Sequence, residues 1–231
     1  MATIYSDESR HNFYHAIHKA LRLGHCRMLA ALGAHDHRDE RQTARLMADL
    51  RALLLLAASH LEGENREIHA ALEQRVPGAS AHAADDHEGH ERSFVELEAL
   101  IRAVEEAAPM ARARACHALY RRYAVFAAED LAHMHEEETE LLAALHRAFT
   151  DEELHAIEGR IVAAIPPHKM AGYMALMAPA LNHCERVDLL RKLRQALPEP
   201  AFEGLLAGTI RPALAPADYT AVISEMMLRA A

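Results

Sequence analysis

The chain has no tryptophan, and aromatic residues make up only 5% of it. Glycine and proline are also scarce, at 9 each. Sheet proteins with many tight turns draw on just these residue types, while the Ala and Leu that dominate here are the strongest helix formers. No polybasic run appears and the formal net charge is −9, which argues against nucleic acid as a partner. No long hydrophobic run appears either. The apolar stretch 53–58 is far too short to span a bilayer, and the first residues, MATIYSDESRHNFYH, are polar and lack a signal-peptide core. Membrane association is therefore not expected. Cysteine is limited to Cys26, Cys116 and Cys184, widely spaced and without a C-x-x-C pair. Reduced thiols in a cytoplasm are expected, the side chains serving as small buried groups.

What is present is an aliphatic chain of 231 residues, 51% hydrophobic, long enough for one sizeable core. Its breakers predict an all-α protein. A first helix begins near Asp7 and ends at GAHDHRDE (33–40). A second runs from about Arg41 to Arg75 and stops at Val76-Pro77-Gly78. A third spans about Ala81 to Ala107, and a fourth about Met110 to Phe149. Long segments with short connections predict an up-down-up-down four-helix bundle over 7–149. Prolines then cut 150–231 into an extension of short helices, with capping boxes at Thr150-Asp-Glu-Glu153 and at Asn182/Glu185. Met170, Met174 and Met177 share one face there and read as core or dimer contact rather than ligands.

Histidine is abundant, at 18 residues, and one phrase is written twice. HLEGENREIHAAL (60–72) and HMHEEETELLAAL (133–145) share His at the first place, Glu four and seven later, then Ile or Leu and Ala-Ala-Leu. In each, a His and a Glu one helical turn apart interrupt an apolar stripe, at His60/Glu64 and His133/Glu137. The inward stripe of the third helix begins with His87 and His90, and that of the first carries His18 and His25. Buried carboxylate and imidazole groups cost several kcal/mol unless paired, and a cation satisfies both. In an antiparallel bundle His18, His60, His87 and His133 fall at similar heights. Imidazole and carboxylate without thiolate suit iron or another borderline metal, and two bridging carboxylates suit two ions. A ferritin-like pattern would need Glu-x-x-His in mid-bundle; Glu8–His11 and Glu152–His155 do not lie there.

The set His18, His60-x3-Glu64, His87 and His133-x3-Glu137, with the phrases IHKALR, HLEGENREIHAAL and DDHEGHERSF, resembles the hemerythrin-like (HHE cation-binding) family over about residues 10–148. The resemblance implies a four-helix bundle with a non-haem centre of two iron ions, often joined by an oxo or hydroxo group. It implies terminal ligands at His18, His60, His87 and His133, and bridging ligands at Glu64 and Glu137. Oxygen-carrying members have two His four apart in the third helix and an Asp five after the fourth-helix His. Here His87 and His90 are three apart and a Glu stands at four, closer to the iron-repair and iron-sensing branches. His90 is the candidate for a fifth histidine ligand.

Around this set, His15 and His135 are the alternatives to His18 and His133 if the helical register shifts. His25 reads as a buried or rim histidine. Tyr14, one turn before His18, reads as a packing residue, the alternative being a hydrogen-bond donor to a bound oxygen species. Glu136, Glu138 and Glu140 read as a solvated face, and His82 as a helix-end residue. Three roles are expected: a protein that binds or senses a small gaseous or peroxide ligand (O2, NO, H2O2), an oxidase, peroxidase or repair enzyme, or a metal-dependent interaction module. The extension is expected to dimerise or to cover the bundle.

Overall fold

The computed structural model describes residues 10–228, and every regular element among them is helical. The first helix, α1 (Tyr14–Ala34), starts later than the sequence pattern suggests; Asp7 itself lies outside the described residues. Asn12 explains the start. Its side-chain oxygen accepts hydrogen bonds from the backbone N–H of Tyr14 (3.0 Å) and His15 (3.2 Å), satisfying donors that a helix leaves open at its beginning. The Asp39 side chain does the same for α2 (Glu40–Gly63) by accepting from the Gln42 N–H.

α2 does not stop at Gly63. Its backbone stays helical through a π-turn, Glu64–His69, into α3 (Ala70–Arg75). Gly78, with φ of +84°, then reverses the chain, and Glu73 accepts from the N–H groups of Gly78 and Ser80 across that turn. α4 (Ala81–Glu106) follows. α5 (Pro109–Glu136), opened by a proline where no N–H is needed, continues through a second π-turn, Glu137–Leu141, into α6 (Leu142–Ala148). Thr150 and Glu153 exchange backbone and side-chain hydrogen bonds and start α7 (Asp151–Ala164). The remaining helices are short: α8 (Pro167–Ala180), α9 (His183–Ala196) behind the Asn182/Glu185 capping box, α10 (Glu199–Leu205), a π-turn (Leu206–Ile210), α11 (Arg211–Ala213) and α12 (Pro216–Leu228).

The chain forms two compact units. The first holds residues up to His15 together with 24–164; the second holds 16–23 together with 165 onward. In the first, α4 packs along α5 and α2 along α4. Its lower core gathers Tyr14, Ile68, Leu72, Leu141, Leu142, Leu145, Phe149, Leu154 and Ile157. The last two lie on α7. That helix therefore belongs to the first unit, and the division falls after Ala164 rather than at the expected 149/150. Burial of a Leu or Ile side chain is worth about 1.5–3 kcal/mol. Arg10 reinforces the junction by donating to the carbonyl oxygens of His146 and Phe149 and to Asp151.

In the second unit α9 packs against α12 and α10, and α8 against the last π-turn and α11. Of the methionine stripe only Met174 is fully buried; Met170 and Met177 are half-buried. Lys19 forms a 2.6 Å ion pair with Glu185. Cys26, Cys116 and Cys184 are free thiols, two of them exposed. No helix among the described residues is long and apolar enough to cross a membrane.

Candidate metal centre

Both copies of the repeated phrase adopt the same local geometry. His60 Nε2 lies 3.1 Å from Glu64 Oε1, and His133 Nε2 lies 3.4 Å from Glu137 Oε1. Glu64 and Glu137 are almost fully buried, at 3% and 1% exposure. Each is also the first residue of a π-turn. Such turns insert one residue into the helical repeat and occur often at functional sites.

α4 brings His87 between the two phrases. Its Nε2 stands 2.8 Å from His133 Nε2, 3.8 Å from Glu64 Oε2 and 3.7 Å from Glu137 Oε1. The outer nitrogens are held as well. His87 Nδ1 donates to Asn65 Oδ1 at 2.7 Å, and His133 Nδ1 to Asp86 Oδ2 at 3.2 Å. An acceptor on Nδ1 fixes the tautomer and turns the Nε2 lone pair inward, as carboxylate and amide groups do behind metal-bound histidines. With both Nδ1 protons committed, two Nε2 atoms 2.8 Å apart must share a proton or face a common cation. Burial alone would lower the His133 pKa. The Glu137 hydrogen bond, the charges of Glu137 and Glu64 and the Asp86 contact outweigh it and push it up to about 9.

His69 joins this cluster, and the sequence pattern gave no notice of it. It is 5% exposed, stacks on His87 with ring centroids 4.8 Å apart, and shares with His87 and Glu137 a group of ligand atoms within 4.8 Å of one another. Both its ring nitrogens are buried without a hydrogen-bond partner among the described residues. Burial, then the neighbouring His87, lowers its pKa, so the ring is neutral and its lone pair available. On an ideal α-helix His69 would point about 180° away from His60. The π-turn between them shifts the register by one residue and swings it inward.

The structure thus brings together His60, Glu64, His87, His133 and Glu137 of the expected set. His18 is fully buried on α1 and His15 is exposed; His133 is buried and His135 exposed. His90 is buried but stands one step outside. Its Nδ1 is 3.7 Å from Asp130 Oδ1, and its ring meets those of Phe126 and His133 edge-on. Asp130 also pairs with His25 at 2.8 Å, and His25 Nδ1 meets the Tyr123 hydroxyl at 2.9 Å. Burial would raise the Asp130 pKa, but His25, His90 and His133 hold it below the carboxylate range. Tyr14 is buried, and burial together with the charges of Glu137 and Glu64 keeps its hydroxyl protonated.

The donor set fits a borderline divalent cation. It offers imidazole and carboxylate and no thiolate, and the orphaned nitrogens of His69 are what such an ion would satisfy. Compared with protein-family models, curated proteins and solved structures, the chain has no significant match in sequence or fold.

Proposed function

We propose that the first unit is a hemerythrin-like four-helix bundle whose His/Glu cluster holds two iron ions and binds, senses or reacts with O2, NO or H2O2. The observation that carries this reading is the convergence of His60, Glu64, His69, His87, His133 and Glu137 from three helical segments, with Asn65 and Asp86 orienting two of the imidazoles from behind. In this reading Glu64 and Glu137 would hold the ions through their carboxylates, and His60, His87 and His133 through their imidazoles. His69 is favoured over His90 as a further ligand, because His90 faces Asp130.

Bound iron would supply redox chemistry and open positions for a small exogenous ligand. The chain's own part is to orient the imidazoles, to exclude water and to place one hydrogen-bond donor nearby. Tyr14 is that donor. Its hydroxyl stays protonated beside the two glutamates and can hydrogen-bond an anionic ligand.

The test mixes anaerobic, ferrous-loaded protein with O2, NO and H2O2 in turn while recording absorbance. A stoichiometric change with one of them supports the binding role, and turnover with added reductant supports the oxidase or peroxidase alternative. No spectral response to any of the three refutes the proposal.

A further inference from the structure

Within the first unit a cleft of about 620 Å³ opens to solvent and reaches the back of the buried cluster. Its walls include His82, Asp86, Glu136, His90 and His133. At the mouth, His82 Nε2 lies 3.4 Å from Glu136 Oε2, and His82 Nδ1 lies 3.9 Å from Asp86 Oδ1. These three residues offer ligand atoms within 4.8 Å of one another. The His82 side chain is 71% exposed, Glu136 43% and Asp86 32%, so the group is open to solvent yet pre-assembled.

Asp86 faces both ways. Its Oδ1 belongs to the outer group, while its Oδ2 accepts from His133 Nδ1 at 3.2 Å. Deeper in the cleft His90 is 4% exposed, and its Nδ1 has no hydrogen-bond partner among the described residues; the nearest carboxylate oxygen, on Asp130, is 3.7 Å away. The charge of the lining favours cations. Asp85, Asp86, Glu96, Glu129 and Glu136 outnumber Arg92 and Arg122, and Arg122 is already committed to Glu96 at 2.6 Å.

We propose that this cleft is the loading port of the buried centre, with His82, Asp86 and Glu136 forming a transit site for a divalent first-row cation. The inference rests on the metal-centre reading above. One imidazole and two carboxylates suit such an ion without holding it tightly. A low-dielectric cleft of one charge sign concentrates it before it moves inward past Asp86 and His90.

The experiment uses the full chain stripped of metal and follows anaerobic Fe²⁺ uptake by stopped flow. His82→Ala/Glu136→Gln alters only the mouth. Electrostatic capture is worth about tenfold or more in rate, so uptake by this variant at low Fe²⁺ is expected to slow about tenfold, to recover at high Fe²⁺, and to reach the wild-type metal content with an unchanged unfolding midpoint. Uptake at the wild-type rate overturns the port and leaves the centre standing. A lowered final content also overturns it, because the outer residues would then be permanent ligands. No uptake by the wild-type chain overturns the centre, and the port with it.

Discussion

Replacing His69 with Leu is predicted to stabilise the metal-free protein while weakening its hold on metal. Without metal, the ring is buried with both nitrogens unpaired. Each unsatisfied buried polar group costs about 1–3 kcal/mol. Leu has a similar volume and removes both groups, so after some loss of fit against His87 the chelated variant should gain about 1–3 kcal/mol. With metal, the variant lacks a ligand, and affinity should weaken at least tenfold, or about 1.4 kcal/mol. Urea unfolding in chelator and in saturating metal measures both stabilities, and a competition titration measures the affinity. If His69→Leu destabilises both forms equally and leaves affinity unchanged, His69 is a packing residue and the reasoning fails.

Ile157→Ala, in the core that α7 shares with α3 and α6, should cost about 2–5 kcal/mol in urea unfolding; a cost near zero would mean that α7 is not part of the first unit. The metal-free protein should also be most stable near pH 6.5. His133, raised to about 9, binds a proton more tightly folded than unfolded, so its stabilisation is full below pH 6.5 and is lost as pH rises toward 9, by no more than about 3 kcal/mol. His69 is shifted down, so folding resists its protonation and stability also falls below pH 6.5. Unfolding midpoints in chelator from pH 5 to 9.5 check this, and a flat profile would contradict it.

The helical segments were legible because their punctuation is chemical: Thr150 and Asn182 open capping boxes, and Val76-Pro77-Gly78 stops the second helix, with Gly78 turning the chain. His60, Glu64, His133 and Glu137 were legible because a charge on an apolar stripe needs a reason. His69 was not, because a π-turn breaks the periodicity by which faces are counted. Its one trace is that the first phrase carries His69 where the second carries Leu142. Glu136 read as part of a solvated face and His82 as a helix-end residue, because only the cleft makes them neighbours. The boundary at Ala164 was hidden because Leu154 and Ile157 look like any short amphipathic helix until their contacts are known.

The central claim is tested most directly by metal content per chain, measured by elemental analysis on untagged protein expressed without added zinc or nickel. Two iron ions per chain, retained through gel filtration and lost in Glu64→Gln and Glu137→Gln, are predicted. No metal, or a single loosely held zinc indifferent to both substitutions, would contradict the account.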